Sequence, residues 1–152
     1  MSARTTRHAT FVIERHYGFA PSQVFAAWAT AEAKAQWFAG PDDWKAEIRE
    51  LDFRVGGRER VRGVFGGGRV SDFTCFYQDI VPNERIVYAY DMHSNDTRIS
   101  VSLATVEFKS ANGGTRLIVT EQGVFLDDFD DAGGREQGTR WLLDKLGAAL
   151  QH

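Results

Sequence analysis

The segment that most restricts the possible folds is the last one, Gly133–Leu150, GGREQGTRWLLDKLGAAL. Leu142, Leu146 and Leu150 recur at i, i+4 and i+8, flanked by Thr139, Leu143 and Ala149. That spacing predicts one helix with a single apolar stripe. Gln137, Arg140 and Asp144 fall on the opposite face. A helix with one apolar side must bury that side against another layer. The preceding sequence predicts sheet, so the helix is expected to cover it.

Upstream, Thr10–Tyr17 alternates, with Phe11, Ile13, Arg15 and Tyr17 on one face. This predicts a strand with Arg15 turned inward; residues 1–8 are polar and expected to fray. Pro21 suits the first turn of a helix that places Val24, Phe25 and Trp28 on one side. Thr30 is a candidate N-cap for a second short helix, 31–38, ending in Trp37-Phe38 before Gly40-Pro41. Six candidate strands follow: 45–53, 58–65, 69–81, 85–93, 98–109 and 115–124. Their separators are turn-formers: Gly56-Gly57, Gly66-Gly67-Gly68, Pro82-Asn83 and Asn112-Gly113. Short turns between consecutive strands make an antiparallel meander. The order β-α-α-β-β-β-β-β-β-α in one 152-residue chain predicts a single α+β domain, a curved sheet with the last helix across its concave face.

The motifs in that order resemble the activator of heat shock protein 90 ATPase homologue-like family. They are APSQVFAAW with the later Trp37-Phe38, FRVGG at 53–57, DIVPNERIVY at 79–88, NGGTRL at 112–117, TEQGVF at 120–125 and GREQGTRWLLDKL at 134–146. The family sits within the START-like (SRPBCC; polyketide cyclase, birch-pollen-allergen) helix-grip superfamily. The resemblance implies a seven-stranded antiparallel sheet gripping the last helix, with a cavity between them. It supplies no universal catalytic residues. The co-chaperone that gives the family its name has an additional N-terminal domain, for which this chain leaves no room, so chaperone activation is weakly supported.

Inward-facing polar residues are the first candidates for a site. Glu121 shares a strand face with Leu117 and Val119, and Arg135 shares the helix stripe with Leu142 and Leu146. With Arg15 they predict either a polar end to an apolar pocket, suited to an anionic or hydrogen-bonding ligand, or a structural pair between last strand and last helix. Trp37, Phe38, Trp44, Phe53, Phe65, Tyr77, Tyr88 and Tyr90 are spread over elements that would converge there, as pocket wall or as plain core. Gly138, near the edge of the stripe, reads either as room for a ligand or as close approach to the sheet.

Other chemistry is poorly represented. His8, His16, His93 and His152 have no metal-ligand spacing, and Cys75 is the single cysteine. His93 and Glu121 are the weak acid–base candidates. The run from Asp128 to Thr139 has Gly133 where a calcium loop needs glycine, but Ala132 and Thr139 at two ligand positions. The glycine runs open no helix and match no phosphate loop. Arg58, Arg60 and Arg62 share one face, expected to be solvated.

A net charge of -3 gives no reason to expect nucleic acid. No signal peptide or apolar run of spanning length is visible, and one cysteine suits a reducing cytoplasm. The leading expectation is a cytoplasmic protein that binds an apolar or amphipathic small molecule, with no cofactor and no metal. The alternatives are a cyclase/dehydratase- or hydrolase-type enzyme using the same cavity, and an interaction module, either chaperone-binding or a homodimer through the sheet edge.

Overall fold

The computed structural model describes residues 4–152. Ten elements follow in the order expected. They are β1 (Thr6–Tyr17), α1 (Pro21–Ala29), α2 (Ala31–Ala35), β2 (Lys45–Leu51), β3 (Arg58–Val64), β4 (Val70–Val81), β5 (Arg85–Ser94), β6 (Thr97–Ala111), β7 (Gly114–Leu126) and α3 (Ala132–Ala149). One antiparallel sheet runs β1-β7-β6-β5-β4-β3-β2. The α+β helix-grip architecture is therefore the one that the sequence predicted.

The sheet order accounts for the two consecutive short helices. β1 and β2 are the two edge strands, so the chain between them has to cross from one side of the sheet to the other. α1 and α2 make that crossing. Pro21 opens α1, whose Val24, Phe25 and Trp28 are buried. Thr30 caps α2 by accepting from the Ala33 N–H at 3.1 Å. α2 ends at Ala35, shorter than the expected 31–38. The next two aromatics leave the helix axis: the Trp37 indole N–H donates to the Ala27 carbonyl at 3.0 Å, packing its ring edge-on against Trp28.

Two further expectations are corrected. β1 begins at Thr6, not Thr10, and Thr6, Arg7 and His8 pair with Leu126, Phe125 and Val124 of a β7 that is longer than expected. Arg4 and Arg7 bond to Asp127 and Asp128, which tie residues 4–8 to the far end of that strand. Only residues 1–3 of the expected frayed segment lie outside the described residues. Secondly, Arg15 does not enter the interior. Its guanidinium meets Asp144 at 3.4 Å on the surface of α3. A long side chain whose Cβ faces inward near a strand end can reach water past the helix, which costs less than burial.

The concave face is apolar and aromatic. Ile86, Tyr88 and Tyr90 of β5, Leu117 and Val119 of β7, Phe73 of β4 and Leu143 and Leu146 of α3 are all buried in it. α3 is held at its C-terminal half, where the Tyr17 hydroxyl donates to the Leu143 carbonyl at 2.7 Å. Asp131 caps its start by accepting from the Gly134 N–H at 2.7 Å.

Between α2 and β3 lies a buried ion pair. Lys34 Nζ is 2.6 Å from Glu59 Oε1, and the residues are 1% and 2% exposed. The Tyr77 hydroxyl donates to the same oxygen at 2.7 Å. The ammonium also lies 4.5 Å from the Phe38 ring centre and 5.5 Å from that of Trp28. Removing one partner would leave a desolvated charge behind. Lys34→Met or Glu59→Leu alone should cost about 3–5 kcal/mol of unfolding free energy in urea titrations. The double variant should recover much of that loss, because the remaining side chains are apolar and similar in size.

Candidate functional site

Where α3 leaves the sheet, towards its N-terminal half, a cavity of about 370 Å³ opens beneath it. Its volume is in the range of small-molecule sites. The wall is mostly aromatic. Trp28, Trp37 and Phe38 come from the helical crossing and its exit, Trp44 from the lead-in to β2, and Phe73, Tyr88 and Tyr90 from the sheet. Phe65 stands at the β3–β4 turn, with the Arg69 guanidinium stacked 4.1 Å from its ring centre. α3 contributes Arg135, Gly138, Trp141 and Leu142.

Ten of the thirteen expected lining residues are thus brought together: Trp37, Phe38, Trp44, Phe65, Tyr88, Tyr90, Glu121, Arg135, Gly138 and Leu142. Three are elsewhere. Arg15 lies by a shallow surface recess at the other end of α3, with His16, Asp144 and His152. Phe53 packs edge-on against Phe25 and Tyr77 under α1, 5.6 and 5.1 Å away between ring centres. Tyr77 is occupied by Glu59. His93, the other acid–base candidate, sits at the end of β5 opposite Asp72 and Arg98, away from the cavity wall.

Sequence reasoning missed Trp28, Arg69, Phe73, Met92 and Trp141 as lining residues. Phe73 and Met92 had a readable signal, since they share strand faces with Tyr77 and Tyr90. Trp44 was expected in the wall, but the packing that holds it there was not readable from the sequence. It lies over Gly63, where an added Cβ would come within 1.9 Å of the indole, and it donates to Ser71 Oγ at 3.0 Å. A glycine in mid-strand here is the space that the indole fills.

The polar end is formed by Glu121, Tyr90 and Arg135. Glu121 is 3% exposed, and its Oε1 accepts a hydrogen bond from the Tyr90 hydroxyl. Arg135 donates to that same hydroxyl at 3.0 Å, to Ser100 Oγ at 2.8 Å and to Asp130 at 2.9 Å. It stands 3.8 Å from Glu121 Oε1. The expected strand-to-helix pair is therefore present, with Tyr90 inserted as a bridge. Burial pushes the Glu121 carboxyl above its usual range, and this outweighs Tyr90, Arg135 and Ser102, which favour the charged form. Burial likewise raises the Tyr90 phenol, and the Glu121 charge adds to it, so it remains a donor.

Gly138 resolves the two readings of its role. A Cβ there would meet nothing within 4 Å, so it does not serve close approach to the sheet. It leaves a gap in the helix over the cavity. Cys75 is buried beside Glu59, with its thiol pushed up to about 12 by burial, which leaves it inert at neutral pH. Arg58, Arg60 and Arg62 lie outside, as expected, each paired with an acid: Glu50, Asp72 and Glu47 respectively. Among the described residues no group of three His, Cys, Asp or Glu side chains is placed to hold a metal ion. No helix there is long and apolar enough to cross a membrane.

Residues 19–151 match the family described as Activator of Hsp90 ATPase homolog 1-like protein. The chain belongs to this family. Among solved structures it is similar to an uncharacterized protein from Rhizobium leguminosarum, at 48% identity and a TM-score of 0.94 over 99% of both chains. A protein from Rhizobium loti is 43% identical, with a TM-score of 0.88 over 95% of this chain and 99% of that one. An AHSA1-like protein from Aeromonas hydrophila shares the fold at 22% identity and a TM-score of 0.72, over 94% of this chain and 92% of that one. No functionally curated protein matches the chain.

A raised carboxylate pKa has a definite consequence for stability. Between its ordinary value, about 4.3 in the unfolded chain, and its higher folded value, Glu121 binds more protons folded than unfolded. The stability that it contributes is complete below the unfolded value and is lost as pH rises through the folded one. Glu121→Gln should therefore gain stability relative to wild type as pH is raised from about 4, measured by urea unfolding at a series of pH values. A difference that stays flat across that range would contradict the burial effect.

Proposed function

We propose that this protein binds an apolar or amphipathic small molecule in the cavity between the sheet and the N-terminal half of α3, acting as a cytoplasmic binding protein without a bound cofactor. The observation that carries this reading is the wall itself. Aromatic residues from four elements (α1, β4, β5 and α3) and from the connections α2–β2 and β3–β4 surround open volume and leave one buried polar group, Glu121 with Tyr90 and Arg135, at one end. Apolar walls with a few placed polar groups are what small-molecule sites use, the walls for affinity and the polar groups for orientation. The gap at Gly138 supports the same reading, since alanine there would favour the helix by about 1 kcal/mol.

A second reading draws on the same end of the cavity. A buried carboxyl with a raised pKa, hydrogen-bonded to a tyrosine, is the kind of group that an acid–base enzyme of cyclase or dehydratase type would use. In that case Glu121→Gln would abolish turnover while leaving ligand affinity largely intact.

Two variants test the binding reading. Leu142→Trp places an indole into free volume on the helix side and should lower affinity for cavity ligands at least tenfold without unfolding the protein. Gly138→Ala should raise stability by about 1 kcal/mol in urea and leave the sheet contacts unchanged. Native mass spectrometry of freshly purified protein should show a retained small molecule that Leu142→Trp loses. Identical ligand retention by wild type and Leu142→Trp would place the ligand elsewhere.

A further inference from the structure

The arginine at the polar end is the obvious anchor for an anionic ligand, and its surroundings argue against that role. The Arg135 guanidinium already donates to Tyr90, Ser100 and Asp130. Two carboxylates, Glu121 and Asp130, face it within 3.8 and 2.9 Å. With both ionised, that end of the cavity carries one negative charge in excess. An incoming carboxylate or phosphate would displace existing bonds and meet repulsion in a poorly hydrated site, where charge interactions are strong.

The Glu121 carboxylate is the group with capacity to spare. Two of its neighbours reach it at Oε1, the Tyr90 hydroxyl by a hydrogen bond and Arg135 by proximity; the buried Ser102 hydroxyl, which also favours the charged form, has no hydrogen-bond partner of its own. Among the described residues none hydrogen-bonds Oε2. Nor is Oε2 sealed off; the fully enclosed side-chain polar atoms without partners are Trp28 Nε1, Arg49 Nη1 and Ser102 Oγ. Glu121 lines the cavity, and Oε2 is the carboxylate oxygen left without a hydrogen bond. The fixed donor at Tyr90 and the cation at Arg135 both favour a carboxylate that accepts over one that donates.

We propose that Glu121 Oε2 is the recognition point for a hydrogen-bond donor on the ligand, so that the cavity takes uncharged hydroxylated or cationic amine-bearing amphiphiles with the donor end innermost, and rejects anionic ones. This rests on the reading of the cavity as a ligand site and adds the chemistry of the head group. The body of the ligand lies against the aromatic wall, and its O–H or N–H completes the carboxylate's bonding. A hydrogen bond to a charged acceptor is strong enough to set a preference on the order of tenfold between head groups.

The test keeps the tail constant and changes the head. Binding of 1-octanol, octylamine, octanoate and 2-octanone is measured by isothermal titration calorimetry at pH 7. Octanol and octylamine should each bind at least tenfold more tightly than octanoate and 2-octanone. Glu121→Gln, whose one oxygen goes to the Tyr90 hydroxyl and whose amide NH2 then stands at the Oε2 position, removes both the acceptor and the charge and should erase the advantage of octanol and octylamine over 2-octanone and octanoate. Leu142→Trp should weaken all members of the series that bind. Tightest binding by 2-octanone would mean that Glu121 acts as a donor and would overturn the proposal. Tightest binding by octanoate overturns it too; if Arg69→Ala then weakens octanoate, the head group sits at the Phe65–Arg69 rim instead. Equal affinity for all four heads removes the donor site but leaves the cavity as an apolar site, whereas no binding by any of them removes both.

Discussion

The buried Lys34–Glu59 pair holds the helical crossing to the sheet, and the cavity depends on it. A charge pair with both partners almost wholly excluded from water gains little over an apolar pair of the same volume. Its value here is positional. Glu59 is fixed by Tyr77 from β4, and Lys34 is enclosed by Trp28 and Phe38, so the pair locates α2 against β3. Phe38, Trp37 and Trp28 then become one wall of the cavity. An apolar contact could slide by a fraction of a turn; a hydrogen-bonded ion pair cannot slide without leaving a charge unpaired.

The last helix is organised on the opposite principle. Its C-terminal half is packed closely, with Leu143 and Leu146 buried and Tyr17 bonded to its backbone. Its N-terminal half stands over open volume, tied by Asp131 at the cap and by the Arg135 contacts. One apolar stripe thus does two jobs along its length. The helix is a fixed wall at one end and a roof at the other, and Gly138 marks the change between them.

Most of this was legible in the sequence because it rests on periodicity. The inward faces of β5 and β7, the capping role of Thr30 and the glycine and asparagine turns all follow from short-range rules, and each was placed correctly. The strand-to-helix pairing of Glu121 with Arg135 was also legible, because two charged residues on buried faces need partners. What was not legible depended on distance between segments. Arg15 has an inward Cβ but escapes to Asp144, which only the position of α3 decides. Lys34 sits in a five-residue helix, too short for a periodic pattern to show which side is buried. Glu59 lies between Arg58 and Arg60 on a strand whose outer face was read correctly, so its inward orientation was implied there and its partner was not.

The distribution of tryptophan has a practical consequence. The chain has four, Trp28, Trp37, Trp44 and Trp141, and every one of them lines the cavity. Three come from the sequence between β1 and β2 and one from α3, so they view the same space from different sides. No indole elsewhere in the chain contributes a constant background. The ultraviolet emission of the unlabelled protein therefore reports on this one chamber, and a change in its polarity or contents would be read directly as a change in wavelength or yield.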